Sequence, residues 1–574
     1  MSGASTIRDL IDARAATHPD TPFLIALDDD NAPGRPATIL TYGQLQADCR
    51  ALRARLRQQG LRRGDVVSVY MGNCIHAARL LLGAMYSGLV ANPINLLCQP
   101  VQTRHILCHS DSRLVFTTAA TQGPIDAALA ELRADGHAGL PHPVCIDGAM
   151  AWRPSPAGHA VLADGEAAPP GQRCRDAGAH PGLGAAAEVG VDVDLGMDLG
   201  LDLDVALDGA AIAARSDDAG ASARSEAPAP GHDALLMYTS GTTGTPKGVL
   251  LTHANLVANA QIISAEHRLG PEDRVMASLP LYHINGLVVT LLAPLAHGGS
   301  VVMPPRFSAR TFWRDVIDHR CTWINVVPTI VAYLLNGEEA VDAEGLRRIR
   351  FCRSASAALP PEHHRAFEKR FGIGVIETMG MTETAAPLFS NPLAADRRRV
   401  GSIGLPCGAQ AKVLLPDGRT AAPGECGEIV VRGPQVMRGY YKQPEETRKA
   451  YTDDGWLRTG DLGYRDAEGY FYINGRAKEL IIKGGENIAP REIDEALLKH
   501  PGVLEAASVG MPDPAYGQEI IAFVVPRGDR IDFDDLRAHC LRELGRYKTP
   551  KEFRTVAELP RGPSGKVQRL KLLP

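Results

Sequence analysis

The chain has 574 residues, more than a single hydrophobic core usually holds, so we expect two or more domains. Its formal net charge of -5 argues against binding to nucleic acid or to an anionic membrane surface. The 11 cysteines are odd in number and form no C-x-x-C pair, which argues against a disulfide framework and a zinc site. Because no apolar run reaches the roughly 18 residues of a transmembrane helix, we expect no membrane span and a reducing, cytoplasmic location. The most apolar stretch, residues 287–296, is too short to cross a membrane and is predicted to be a buried helix.

The N-terminal part alternates helix and strand patterns. Residues 6–9 match a capping box ahead of helically spaced apolar residues, and residues 45–56 have the apolar face of an amphipathic helix. Residues 66–70 and 90–94 are predicted strands on either side of a predicted helix at residues 77–87. This order predicts an α/β fold in which helices cover a parallel sheet.

A long insertion interrupts this pattern at residues 157–232. The segment is rich in Ala, Gly, Asp and Pro and lacks aromatic residues, so it is predicted to be disordered. Within it, residues 191–208 alternate Asp with aliphatic residues, which leaves a calcium-binding repeat as an alternative. The Gly-Gly-x-Gly-x-Asp spelling of such repeats is absent, and a solvated insertion is therefore favoured.

A strand-like run at residues 234–238 leads into a loop rich in glycine and hydroxyl groups. Glycines let the backbone approach a ligand closely, and successive backbone N–H groups form a concavity for anions. The hydroxyl groups add donors and the lysine adds a compact positive charge, which together suit a polyphosphate. The spacing is not that of a Walker A motif, and a plain polar turn is the alternative. The candidate residues are Thr239, Ser240, Gly241, Thr242, Thr243, Gly244 and Lys247.

This loop resembles the phosphate-binding signature of the adenylate-forming, or AMP-binding, superfamily, in particular its acyl-CoA synthetases. The resemblance implies a large N-terminal domain at residues 1–477, built from helix-covered sheets plus a small β-barrel. It further implies a small, mobile α+β C-terminal domain at residues 478–574.

Residues 279–286 resemble the segment that carries a histidine at the acyl pocket of the family. The resemblance therefore places His283 in the substrate pocket, together with Ala355 and Gly380; a structural histidine is the alternative. Peptide-synthetase adenylation domains have an aspartate close to this position to hold the substrate amine. Its absence argues against an α-amino acid, because a buried ammonium group without a partner is costly.

Two segments resemble the adenine-binding motifs of the family. Residues 353–359 resemble its adenine-contacting loop, which assigns Ser356 and Ala357 to the nucleotide; a tight turn between strand and helix is the alternative. The second motif usually has an aromatic residue where Met379 stands, so a polarizable thioether would pack on the base instead.

The second motif, residues 378–383, also supplies polar groups. By resemblance, Thr382 donates to a phosphate. Glu383 would ligate Mg²⁺, a hard cation that prefers carboxylate and phosphate oxygens. A solvated surface glutamate is the alternative.

Asp461 stands in a predicted turn, where a carboxylate can accept two hydroxyl donors. By resemblance, Asp461 binds the ribose, Arg476 binds ribose or phosphate, and Lys478 is the hinge between the two domains. The alternatives are an aspartate that holds its own turn and a solvated basic turn.

The C-terminal part contributes two further motifs. Lys483, Gly484 and Gly485 are assigned by resemblance to the site of coenzyme A, beside its pantetheine channel. The loop at residues 560–566 resembles the catalytic lysine loop of the family, with Lys566 as the lysine. A generally basic tail is the alternative reading of this loop.

The resemblance implies an ATP-dependent carboxylate–CoA ligase of fatty acid metabolism that uses ATP, Mg²⁺ and coenzyme A on a small carboxylic acid. The carboxylate first forms an acyl adenylate with release of pyrophosphate, and the thiol of coenzyme A then takes the acyl group. The predicted catalytic residues are Thr239, Glu383 and Lys566. The alternatives are an enzyme that loads a carrier protein and a nucleotide-binding protein without chemistry. The sequence predicts neither the acyl group nor the oligomeric state.

Overall fold

The computed structural model describes residues 3–27, 37–146, 152–154, 227–239, 246–337, 341–476, 479–528, 530–561 and 567–573. Most of the predicted insertion, Lys478, Lys566 and the loop residues Ser240, Gly241, Thr242, Thr243 and Gly244 lie outside these ranges.

An eight-stranded sheet contains the predicted βαβ pattern of the N-terminal part. Its central strands pair in parallel, and Val66–Tyr70 is buried at every position, as expected for a strand covered on both faces. In spatial order the strands are Gly439–Tyr440, Lys247–Thr252, Asp233–Thr239, Val90–Pro93, Val66–Tyr70, Ser112–Thr118, His142–Ile146 and Trp152–Pro154. The predicted parallel sheet is confirmed.

A nine-stranded sheet is the second layer of the large unit. Six neighbouring strands, from Val375–Met381 to Pro22–Leu27, pair in parallel, and the outer strands pair in antiparallel fashion. In spatial order the strands are Leu405–Pro406, Ala386–Ser390, Val375–Met381, Phe351–Ser354, Trp323–Val326, Arg274–Ala277, Ser300–Met303, Pro22–Leu27 and Ala37–Thr41.

Two smaller sheets follow in the chain. The first is antiparallel and consists of Gln410–Leu414, Gly427–Arg432, Leu457–Arg465 and Phe471–Arg476, where the resemblance implied a small β-barrel. The second is the sheet of the C-terminal unit, with Glu486–Ile488, Ile481–Lys483, Gly517–Pro526, Val503–Asp513 and Glu552–Thr555.

Helices cover the sheets and begin where the sequence offers caps. Thr6, Thr41 and Thr252 each accept a hydrogen bond from the third helical N–H in a capping box. The α-helices are Ile7–Thr17, Tyr42–Gln58, Ile75–Ser87, Pro100–His109, Gln122–Ala134, His253–Glu266, Ala293–His297, Ala309–Asp318, Pro328–Asn336, Ala343–Leu346, Pro361–Phe371, Pro444–Ala450, Pro490–Leu498 and Phe533–Lys548. None of the helices within the described ranges is long and apolar enough to cross the bilayer.

The most apolar segment, residues 287–296, was predicted to be one buried helix. The segment is buried and helical, as predicted, but its first part is a π-helix, Asn285–Leu292, and the short α-helix Ala293–His297 follows it. A Cβ atom on Gly286 would lie 2.1 Å from the carbonyl oxygen of Pro280. The lack of a side chain at Gly286 therefore lets this helix start against the preceding loop.

We expect Gly286→Ala to destabilise the protein by about 2–3 kcal/mol, because the added methyl group must displace backbone rather than a flexible side chain. Thermal melting measures the loss. Gly123→Ala is the matched control, since no heavy atom of the described chain lies within 4 Å of its Cβ position. Equal melting temperatures for the two variants would contradict the close approach.

Candidate active site

A cavity of about 280 Å³ lies between the nine-stranded sheet, the four-stranded sheet and the C-terminal unit. The parallel strands Phe351–Ser354 and Val375–Met381 end at this cavity, and ligands of α/β sheets bind outside such carboxyl ends. The predicted nucleotide residues in its lining are Ser356, Ala357, Met379, Asp461 and Arg476, and Gly380, predicted for the acyl pocket, lines it as well. The structure therefore brings predicted adenine and ribose residues together around one space.

Ser356 stands at the cavity in an unusual backbone conformation. Its φ angle is +73°, in the left-handed region that non-glycine residues rarely adopt. Such strain persists only where the surroundings enforce it, and it is common at functional sites. The neighbouring Ala355, predicted for the acyl pocket, is 4% exposed and lies outside the described lining, whereas Gly380 is part of it.

Glu377 lines the cavity and was missed by the sequence analysis. One carboxylate oxygen accepts the backbone N–H of Leu359 at 3.1 Å, and the other has no hydrogen-bond partner among the described residues. Burial raises the pKa of Glu377 to about 7. The available signal was a glutamate that interrupts the apolar strand directly before the motif at residues 378–383.

Asp461 was predicted in a turn, and this local prediction is wrong. The residue lies inside the strand Leu457–Arg465, whose pairing with Phe471–Arg476 shifts register just after it. Asp461 pairs with Arg476, with 2.9 Å between Oδ1 and Nε. The glycine before it, with φ of +71°, accounts for the turn-like sequence without ending the strand.

Glu383 is buried in the short 3₁₀ turn Thr382–Thr384. Its Oε1 accepts the hydroxyl of Tyr440 at 2.9 Å. Burial raises the pKa of Glu383, whereas the hydrogen bond and the positive charges of Arg476 and Lys247 lower it. The carboxylate is thus within electrostatic reach of both the ribose side and the phosphate loop. Thr382 beside it is half-buried.

Lys247 stands at the end of the phosphate loop, where its strand pairs with Thr239. Its ammonium group forms an ion pair with Glu446 and lies 5.1 Å from the ring centre of Tyr440. The hydrogen bond that Lys247 donates to Glu446 lowers the pKa of Glu446 to about 2. Neither Lys247 nor Glu383 belongs to the described cavity lining; Tyr440 contacts both and separates them.

The predicted acyl-pocket histidine, His283, is half-buried and lies outside the described lining. Its ring makes an edge-on contact with Tyr282, with centroids 5.0 Å apart. A role in the acyl pocket stays a prediction.

The predicted coenzyme A residues lie in the C-terminal unit and are not part of the described cavity lining. The ammonium group of Lys483 is buried, 2.5 Å from Oε1 of Glu519, and donates to the carbonyl of Tyr547 at 3.0 Å. Gly484 and Gly485 have φ angles of +58° and +87°, a turn that favours glycine.

The residues that flank the predicted catalytic lysine segment lie at the cavity. Arg561 and Val567, which flank residues 562–566, pair as an antiparallel bridge, and both line the cavity. Arg561 donates to Thr329 of the large unit at 3.1 Å and to Glu505 at 2.6 Å.

Comparison with known proteins identifies the class. Residues 11–441 match the family model of the AMP-binding enzymes, and residues 492–566 match that of the AMP-binding enzyme C-terminal domain. The chain belongs to the AMP-binding, adenylate-forming enzymes and is of the acyl-CoA synthetase type.

Several similar proteins are CoA ligases that act on short acids. A sulfoacetate–CoA ligase from Cupriavidus necator is 58% identical over 99% of this chain and 97% of its own length. An oxalate–CoA ligase from Arabidopsis thaliana is 41% identical over 59% of this chain and 67% of its own length. Among solved structures, ATP-bound MatB from Rhodopseudomonas palustris superposes with a TM-score of 0.78 at 28% identity, covering 99% of this chain and 98% of that one.

A second solved structure contains nucleotide and metal. The o-succinylbenzoate coenzyme A synthetase of Bacillus subtilis, in complex with ATP and magnesium, has a TM-score of 0.74 at 26% identity, with 98% of both chains covered. The predicted fold, the ATP-dependent carboxylate–CoA ligase activity through an acyl adenylate, and the use of ATP, Mg²⁺ and coenzyme A are confirmed. Transfer to a carrier protein is not favoured.

The buried carboxylate of Glu383 suits Mg²⁺, which takes oxygen ligands. Within the ranges that the structure describes, no group of three His, Cys, Asp or Glu side chains is placed to hold a metal. A single protein carboxylate plus substrate phosphates is the ligand set that Mg²⁺ commonly takes in nucleotide enzymes.

Proposed function

We propose that the acid activated by this enzyme is sulfoacetate or a similarly short acid with a second anionic group. The observation that carries the proposal is the 58% identity with a sulfoacetate–CoA ligase over nearly the whole chain. The oxalate–CoA ligase supports the same class, because oxalate is also short and doubly charged. Fatty acid metabolism, predicted from the sequence, is a competing assignment supported by a Bacillus subtilis long-chain-fatty-acid–CoA ligase, 40% identical over 60% of this chain.

For the first half-reaction we assign the nucleotide to the cavity. Met379 packs on the adenine, Asp461 accepts the ribose hydroxyls, and Arg476 keeps that carboxylate in place. Lys247 would leave Glu446 and turn to the phosphates, which requires only a side-chain movement of a half-exposed lysine. Mg²⁺, when bound at Glu383, neutralises part of the charge that builds on the phosphoryl oxygens.

Lys566 is assigned to the reacting carboxylate. The cavity positions of Arg561 and Val567 support this role, because these two residues flank Lys566 in the sequence and both line the cavity. A lysine there stabilises the developing negative charge and holds the carboxylate in line with the α-phosphorus.

For the second half-reaction we propose that the C-terminal domain, residues 478–574, rotates about Lys478. Gly484 and Gly485 are not among the residues that line the cavity, and this supports a rotation that would bring the turn to the acyl adenylate. Such closure is a hinge motion between two rigid bodies. The thiol of coenzyme A then attacks the acyl adenylate, and AMP leaves.

We expect the purified enzyme to release pyrophosphate fastest with sulfoacetate in a screen that also contains oxalate, propionate, octanoate and palmitate. The kcat/KM for sulfoacetate should exceed that for octanoate by about 100-fold or more, because polar groups that pair with a second anion are left buried and unpaired when an alkyl chain takes its place. AMP release with coenzyme A, measured beside an acyl carrier protein, checks the thiol acceptor. A preference for octanoate or palmitate would refute the proposed substrate class.

A further inference from the structure

A fully buried guanidinium lies directly behind the cavity wall. Arg353 is 1% exposed, and its Nη1 donates to Oδ1 of Asn285 at 2.8 Å and to Oδ1 of Asn325 at 2.7 Å. Its Nε has no hydrogen-bond partner, and no carboxylate forms an ion pair with it, within the described part of the chain. Burial lowers the pKa of Arg353 to about 10, so the group stays charged at neutral pH. A buried cation without a counter-charge is costly, and an anion from a ligand would offset that cost.

The hydrogen bonds around Arg353 run in one direction, towards the cavity. Arginine only donates, so the amide oxygen of Asn285 must face it and the amide nitrogen must face away. That nitrogen donates to Oγ of Ser356 at 3.1 Å. Because the oxygen of Ser356 already accepts a bond, its own O–H proton is available to donate. Ser356 is exposed and lines the cavity, so a chain of donors extends from the buried charge to the ligand space.

The backbone fixes the positions of Asn285 and Ser356, the residues that link Arg353 to the cavity by hydrogen bonds. Asn285 begins the π-helix next to Gly286, which packs too tightly on Pro280 to carry a side chain. Ser356 holds its hydroxyl at the cavity through a left-handed conformation. Asn325 and Arg353 lie side by side on neighbouring parallel strands. The donor chain is therefore preorganised before any ligand arrives.

We infer that Arg353, acting through Asn285 and Ser356, selects acids that carry a second anionic group, a sulfonate or a carboxylate, remote from the reacting carboxylate. This inference rests on the proposed function and names the residues that perform the selection. The second anion accepts a hydrogen bond from the hydroxyl of Ser356. It also supplies a negative counter-charge for the guanidinium of Arg353. Arg353 is a positioning residue, since it acts through its neighbours.

The test compares two acids of nearly equal shape, sulfoacetate and the singly charged methylsulfonylacetate, by pyrophosphate release. Selectivity is the ratio of their kcat/KM values. We expect Arg353→Gln to lower this ratio about 10–100-fold, mainly through a higher KM for sulfoacetate, as for the loss of a charge-assisted interaction. Arg353→Lys, which keeps the charge, should restore part of the ratio.

Two further variants separate selection from stability. Ser356→Gly removes the hydroxyl without adding backbone strain and should also lower the ratio. Arg14→Gln is the matched control, because Arg14 is likewise a buried guanidinium bound to uncharged oxygens, the carbonyls of Leu295 and Ala296. It should leave the ratio unchanged even if it lowers the melting temperature.

The outcomes distinguish the two proposals. If the wild-type enzyme does not prefer sulfoacetate over methylsulfonylacetate, both the proposed substrate class and the role of Arg353 are overturned. If the wild type shows that preference and Arg353→Gln and Ser356→Gly slow both acids by the same factor, the role of Arg353 alone is overturned.

Discussion

Replacing Lys566 with alanine will slow carboxylate-dependent pyrophosphate release by about 10²–10³-fold, the usual loss when one group that stabilises transition-state charge is removed. The same variant should convert a supplied acyl adenylate and coenzyme A to acyl-CoA at nearly the wild-type rate. The reason is that Lys566 takes part only in the first half-reaction, the attack of the carboxylate on the α-phosphorus. It takes no part in the second, the attack of the thiol on the acyl adenylate.

Two assays on one preparation are sufficient for this test. Pyrophosphate release reports the first half, and AMP release from synthetic acyl adenylate reports the second. Lys571→Ala is the control, because Lys571 is an exposed lysine in the same basic tail. Equal losses in both assays would show that Lys566 acts in both halves or supports the fold, and the assignment would be withdrawn.

Local sequence patterns predicted much of the fold because helix caps and buried strands are determined by residues close together in the sequence. The capping box at Thr6 and the buried strand Val66–Tyr70 occur where predicted, since caps and apolar runs depend on neighbouring residues. The π-helix Asn285–Leu292 was not predicted. A segment that is buried on every side is apolar throughout, so its sequence has no alternation of apolar and polar residues. Without that alternation, the number of residues in one helical turn cannot be read from the sequence.

The motifs predicted the cavity better than they predicted its surroundings. Ser356, Met379 and Asp461 all line the cavity, and their contacts with a nucleotide stay predictions. Tyr440, which contacts both Glu383 and Lys247, gave no signal, because its short strand reaches the phosphate-loop hairpin from almost 200 residues further along the chain. Pairings over such separations depend on the folded arrangement and not on local periodicity.

The burial of Arg353 is a second feature that local sequence patterns did not predict. In the sequence it opens a run of small residues and was taken as part of a loop. In the structure it belongs to the strand Phe351–Ser354, and its guanidinium points into the interior. An arginine is seldom fully buried, so no composition rule predicts this placement. Two asparagines among the described residues, one on a neighbouring strand and one in a helix, accept hydrogen bonds from it and offset part of the cost of burial.

Glu383→Gln should lower kcat/KM for adenylation by about 100-fold, because it replaces the charged oxygen ligand of Mg²⁺ with a neutral amide. The substitution keeps the size of the side chain, and the amide oxygen can still accept the hydroxyl of Tyr440. The expected signature is a weaker apparent affinity for Mg²⁺, read from the Mg²⁺ dependence of pyrophosphate release.

The pH dependence gives a second readout for Glu383. Burial raises the pKa of this carboxyl, and only its ionised form binds the metal. As the pH falls through that raised pKa, protons compete with Mg²⁺, so the wild-type affinity for Mg²⁺ should weaken at a higher pH than for an ordinary glutamate. In Glu383→Gln this pH dependence should disappear. Glu266→Gln is the control, since the pKa of Glu266 is also raised by desolvation but the residue belongs to a helix outside the cavity lining. An unchanged Mg²⁺ profile in Glu383→Gln would assign the metal to the substrate phosphates alone.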